Sequence, residues 1–160
     1  MPKLTIDGLD DFIMRAEQIE NGFRAVASAA VYAGAGKAVE VIKAEINRLP
    51  EQQGYMKDGD HRNVVTHDEK LDLLDGIGIA GFNAGTDDVD TAVGFGGYSR
   101  HKTKKYPNGV PIPLIARSIE SGSSVRNKIP FIRRAVKGNE EAIKAAMSAA
   151  AQKKLEELTK

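Results

Sequence analysis

The sequence predicts an α+β domain in which an N-terminal helix pair and a C-terminal helix pack on a small antiparallel β-sheet. Three observations predict it. Apolar residues recur at helical spacing through residues 9–49 and again after Asn139. Between them, Ile77 to Phe82 and Val89 to Phe95 are short strand-like stretches flanking a turn-rich run, Asn83 to Asp88. Finally, 160 residues of which 41% are hydrophobic can bury one ordinary core, and no cysteine is present to brace it. Residues 1–160 are therefore expected to form a single domain.

Taken in order, Leu4 to Ile6 reads as a short extended start that Asp7-Gly8 turns into a helix over Leu9 to Glu20. Leu9, Phe12, Ile13, Ala16 and Ile19 keep helical spacing, and Asp10 and Asp11 suit the positive N-terminal end of the helix dipole. Asn21-Gly22 is expected to break this helix. A second helix is predicted from Phe23 to Leu49, where Pro50 stops it. Ala27, Val31, Ala35 and Ala38 form its packing face and continue into Ile42, Ile46 and Leu49. Gly34 and Gly36 each cost about 1 kcal/mol relative to alanine in a helix, so their smallness implies close approach by another element, within the fold or between subunits.

Residues 51–67 are polar and glycine-containing and read as an exposed loop, followed by one or two helical turns over Asp68 to Leu74 and then the two strands. A basic loop is expected over residues 98–110. Tyr106-Pro107-Asn108-Gly109 is a turn, because proline presets φ and Asn-Gly accepts positive φ. Pro113 suits the first turn of a helix through Leu114, Ile115, Ala116, Ile119 and Glu120, and Gly122 stands where that helix would stop. Pro130 then starts another helix anchored by Phe131 and Ile132. Gly138-Asn139 interrupts it, and a final helix runs from Glu140 to Leu158 with Ile143, Ala146, Met147, Ala150 and Leu155 on one side.

The net charge of +1 conceals a segregation along the chain. Residues 1–90 carry 17 acidic against 9 basic side chains, whereas residues 98–134 carry 9 basic side chains against Glu120 alone. Such a balance of −8 beside +8 fits halves that neutralise each other, a subunit that stacks acidic on basic surface, or a lining that faces nucleic acid. Arg100, Lys102, Lys104 and Lys105, interleaved with Tyr98 and Tyr106, together with Arg126 and Lys128, are the candidate partner or channel contacts. The basic segment is expected to face a partner or a channel instead of being neutralised within its own chain.

Catalytic and cofactor motifs are absent or out of context. Gly76 to Gly81 spells GxGxxG, but turn residues follow it where a dinucleotide site needs a helix. Gly34-Ala35-Gly36-Lys37 lacks the first glycine and the final Ser/Thr of a phosphate-binding loop. Asp58, Asp60, His61, His67, Asp68 and Glu69 match no metal-ligand spacing and read as a solvated loop, and no nucleophile elbow organises the serines and histidines. No enzyme, cofactor or metal is expected. Absence of cysteine fits a reducing cytosol, no apolar run approaches a membrane span, and the N-terminus lacks signal-peptide features, so the protein is expected to be soluble.

Three blocks occur in order: GFGGYSR, then KKYPNGVPIPLIARSIESGSS, then NKIPFIRRAV followed by a charged C-terminal helix. From about Leu71 onward the chain thereby resembles the tail-completion and head–tail joining family of tailed bacteriophages and related prophage elements. The motif residues Tyr106, Pro107, Gly109, Arg117, Glu120, Gly122, Pro130, Phe131 and Arg133 carry the resemblance. It implies a structural virion protein made in the host cytoplasm and placed in the neck or at the top of the tail. There it would form a homo-oligomeric ring, a hexamer, contacting neighbouring neck or tail proteins and surrounding a channel for DNA, with no membrane contact. The alternative is a nucleic-acid-binding module that uses residues 98–134.

Overall fold

The computed structural model describes residues 9–52, 63–81, 83–84 and 89–159. The expected extended start at Leu4 to Ile6 and the Asn83 to Asp88 turn from residue 85 onward lie outside them. Five helices and three two-stranded sheets are present among the described residues, giving a mixed α+β architecture.

Instead of two N-terminal helices there is one, α1, from Leu9 to Asn47. Asn21-Gly22 does not break it, because a lone glycine costs only about 1 kcal/mol and the C-terminal helix packs beside Gly22. Within it, Glu20–Asn47 is long and apolar enough by length and composition to cross a membrane, contrary to the expectation that no run approaches span length. The same apolarity serves the core here, since Val41, Ile42 and Ile46 of that stretch are buried.

After α1, β1 (Glu51–Gln52) pairs in parallel with β2 (Val65–Thr66), a pairing the sequence did not suggest. The expected exposed loop is thus tied down at its ends, and Val65 is fully buried. Thr66 caps α2 (His67–Gly76): its Oγ1 accepts the Glu69 N–H at 3.2 Å while the Glu69 carboxylate accepts the Thr66 N–H at 3.0 Å. This reciprocal capping satisfies two donors that the first turn cannot satisfy itself.

The predicted hairpin is observed. β3 (Ile77–Ile79) pairs antiparallel with β6 (Val93–Phe95), and farther out β4 (Asn83–Ala84) pairs with β5 (Val89–Asp90). From Ile79 to Asn83 is four steps, while from Val93 to Asp90 is three, so one extra residue interrupts the ladder between the two pairs. Such a bulge bends the hairpin and increases its twist, which accounts for two short sheets in place of one continuous pair.

Helix α3 (Ile112–Ser121) begins after Pro111, with Pro113 in its first turn, and buries Ile112, Ile115, Ala116 and Ile119, the i, i+3, i+4, i+7 face that one-sided burial requires. Helix α4 (Phe131–Gly138) buries Phe131 and Ala135, and α5 (Glu140–Leu158) follows after Asn139 alone. The core joins the C-terminal part of α1 to α2, α3, α4 and the root of the hairpin, with Phe131 at its centre. Its ring meets that of Phe95 edge-on at a centroid distance of 6.1 Å.

The C-terminal helix packs on α1, not on a sheet. A Cβ on Gly34 would lie 2.6 Å from Met147, and one on Gly22 would lie 3.7 Å from Leu158, so the two helices run antiparallel. Gly34 is small because its own chain's α5 needs the space, whereas a Cβ on Gly36 would meet nothing within 4 Å. Ile143, Ala146, Met147 and Ala150 are half-buried in this pairing, but Leu155 is 55% exposed. Two helices side by side cover only a narrow seam, which is why α5 has no fully buried residue.

Candidate functional site

The site is built from the loop between β6 and α3, and the residues that shape it come from α2. At its base Tyr98 bridges to Pro111, and the Ser99 N–H donates to the Val110 carbonyl at 2.8 Å. Ser99 is buried, its hydroxyl donating to the His101 carbonyl at 3.0 Å and accepting the Val110 N–H at 3.1 Å. At its tip Thr103 and Tyr106 exchange backbone hydrogen bonds at 3.1 Å each, and the Thr103 hydroxyl also accepts the Tyr106 N–H. Lys104 and Lys105 therefore occupy the two central positions of a tight turn. A second turn follows directly, as the sequence predicts, with the Gly109 N–H donating to the Tyr106 carbonyl. Gly109 has φ of 108°, and a Cβ there would lie 2.2 Å from the Ser99 carbonyl oxygen.

One arginine fastens this loop to the domain. The Arg100 N–H donates to both carboxylate oxygens of Asp72, at 3.3 and 3.1 Å, and its guanidinium donates to Asp72 at 2.6 Å and to Asp75 at 2.5 Å. Asp72 is only 3% exposed, so its charge is held where solvent cannot screen it and a charge-assisted partner is needed. Hydrogen bonding to Asp75, with further help from Asp72 and against some desolvation, raises the Arg100 pKa above its ordinary value. A second arginine fastens the loop after α3: Arg126 donates to both oxygens of Glu69 at 2.8 and 2.9 Å. Arg134 lies 3.3 Å from Glu45 of α1.

These pairs neutralise part of the basic segment within its own chain, at Arg100, Arg126 and Arg134, whose partners are acids of α1 and α2. Lys102, Lys104, Lys105 and Lys128 are exposed, and no ion pair involves them among the described residues. Lys105 Nζ sits 5.5 Å from the centre of the Tyr106 ring, and Tyr98 is 65% exposed at the loop base. Arginine's planar fork suits fixed carboxylate pairs, and lysine's flexible ammonium remains outside as a hydrated point charge.

The remaining motif residues build the scaffold. Glu120 reaches from α3 to the start of α4, where its carboxylate accepts the Ile132 N–H at 2.8 Å and the Arg133 N–H at 3.1 Å. Pro130 stands at the N-cap of α4 and offers no side-chain acceptor, so Glu120 supplies the cap from another helix. Gly122 turns the chain between them with φ of 80°, and a Cβ there would lie 3.0 Å from the Lys128 nitrogen. Phe131 is buried, Pro107, Arg117 and Arg133 are exposed, and Tyr106 is half-buried. Ala27, Val31 and Ala38 are half-buried and Ala35 is buried on α1, distant in sequence from this loop.

Asp72 was the determining residue that sequence reading passed over. The signal was present as an acidic stripe at Glu69, Asp72 and Asp75, spaced three apart on α2. Thr66-x-x-Glu69 was likewise a legible capping signature. Glu51 was also missed: it accepts from His67 at 2.6 Å and from Lys70 at 3.1 Å, contacts that lower its pKa in that order.

Of the acidic and histidine cluster weighed for metal binding, Asp58, Asp60 and His61 lie outside the described residues. Glu69 is engaged by Thr66 and Arg126, and no group able to hold a metal ion occurs among the described residues. Gly76 closes a helix and Ile77 opens a strand, the reverse of the strand-then-helix order of a dinucleotide site. Gly34 to Lys37 lies inside α1, where no loop can cradle a phosphate. No protein-family model, curated protein or solved structure matches the chain.

Proposed function

We propose that this chain is a structural subunit of a tailed phage or phage-like particle, forming a ring in the neck or at the top of the tail that completes head–tail joining. The observation that carries the reading is the ordered trio of sequence blocks, residues 94–100, 104–124 and 127–136. Its support in the fold is that the blocks make one contiguous scaffold, with Glu120 capping α4, Gly122 turning the chain and Phe131 filling the core. Asp72, Asp75, Glu69 and Glu120, with Arg100 and Arg126, hold that scaffold together. The role is then assembly: copies repeat around the particle axis as a hexamer, the domain gives each a rigid body, and the exposed lysines face its surroundings. The α1 face at Gly34 is occupied by α5 of the same chain, so lateral contacts use other surfaces than that one.

A map of the intact particle tests the proposal, with native mass measurement of the assembled complex. A closed hexameric ring of this chain between head and tail is expected. A single copy on the axis, or particles whose neck lacks the chain, would overturn it.

A further inference from the structure

The lysine turn is a preformed element with an exposed aromatic at its root, and it does not depend on the ring reading. We propose that the loop from Tyr98 to Tyr106 binds a single-stranded segment of nucleic acid, with Lys102, Lys104 and Lys105 on the phosphates, Tyr98 as a stacking platform, and Asp72 as the residue that positions the loop.

Four observations carry this. Lys104 and Lys105 are the central residues of a turn closed by paired Thr103 and Tyr106 backbone bonds, so the backbone positions from which they project are set before any ligand arrives. Lys102, Lys104 and Lys105 are exposed and have no acidic partner among the described residues, while Arg100 and Arg126 are paired with Asp72, Asp75 and Glu69. Tyr98 exposes 65% of its surface at the loop base although its backbone is held by the bridge to Pro111. Finally, the buried Asp72 carboxylate grips the Arg100 backbone and guanidinium together, which sets the direction in which the following residues leave the domain. Basic side chains would hold any polyanion, but an exposed ring beside them adds a surface on which a base can stack, and only an unpaired strand presents its base faces. An acidic protein surface could also use the lysines and the ring, and competition by polyglutamate separates it from a strand whose bases stack on the tyrosine.

The test is fluorescence anisotropy of the full chain with a labelled DNA oligonucleotide, single-stranded and as a duplex, across a salt series. Three phosphate contacts on a single strand predict a slope of log K against log salt of about −2. Replacing Lys102, Lys104 and Lys105 by glutamine should bring that slope close to zero and abolish most of the binding. Tyr98→Ala should weaken single-strand binding about fivefold or more and leave the salt slope unchanged. Asp72→Asn keeps every lysine and should weaken binding with the slope retained; Asp75→Asn, at an exposed carboxylate, provides the same readout if the first variant does not fold. The proposal is overturned by absence of binding at low salt, by binding that survives the triple substitution, or by polyglutamate competing as well as DNA. Equal affinity for duplex with Tyr98→Ala silent overturns the single-strand assignment. None of these outcomes requires a particle, so they stand apart from the fate of the ring.

Discussion

Removing the Glu120 carboxylate separates a capping role from a merely exposed acid. In the fold it accepts two N–H groups of the first turn of α4, Ile132 at 2.8 Å and Arg133 at 3.1 Å, and no side chain of the N-cap residue Pro130 can replace it. Loss of an N-cap costs about 1 kcal/mol, and loss of the negative charge at the helix N-terminus adds about 0.3–1 kcal/mol. Because α4 carries the fully buried Phe131, fraying of its first turn also loosens the core, so Glu120→Ala is expected to cost about 2 kcal/mol in total. Glu120→Gln retains one carbonyl acceptor and should cost about half as much, by the same capping energetics. Urea unfolding at constant m-value measures both, and for a chain of this size about 2 kcal/mol corresponds to a fall in Tm of roughly 4–8 °C. A local cap should compensate: Pro130→Asp in the Glu120→Ala background is expected to recover about 1 kcal/mol, and much less in the wild type, where the donors are already satisfied. An unchanged midpoint in Glu120→Ala, or equal effects of Pro130→Asp in both backgrounds, would refute the cross-helix cap.

Three further perturbations follow from the same geometry. Phe131→Ala removes a fully buried ring that meets Phe95 edge-on and should cost about 3–5 kcal/mol by calorimetry or urea unfolding; a loss under about 1 kcal/mol would place the ring outside the core. Gly34→Val drives a side chain into Met147 and should destabilise the α1/α5 pairing by about 1–3 kcal/mol, with partial recovery when Met147→Ala is added; independence of the two substitutions would mean that the helices do not meet there. The Glu51 pKa is lowered, chiefly by its hydrogen bond with His67 and then by Lys70, so the native state binds a proton there less readily than the unfolded chain. Its stabilising contribution is therefore present above the ordinary carboxylate pKa and lost as pH falls through the lowered folded value. NMR titration of the Glu51 side-chain carboxyl carbon should show a midpoint below that of an exposed glutamate, and an ordinary midpoint would show the contacts to be too weak to matter.

Sequence alone determined the local elements whose causes are local. Pro113 and Gly122 bracket α3, Pro130 and Gly138-Asn139 bracket α4, and Glu140 to Leu158 is α5, because proline, glycine and helical periodicity act within a few residues of themselves. The Tyr106 to Gly109 turn and the hairpin pairing of Ile77 to Ile79 with Val93 to Phe95 were legible for the same reason. Tertiary structure decided what depends on partners distant in the chain. Asn21-Gly22 stays helical because α5 packs alongside α1 near Gly22. Glu120 becomes the cap of a helix it does not belong to. The basic segment divides into Arg100 and Arg126 fastened to α2, Arg134 beside Glu45 of α1, and Arg117, Arg133 and the lysines left outside, although all read alike as positive charge. A charge count along a sequence records the number of cations, while which of them remain available depends on the carboxylates that folding brings within about 3 Å.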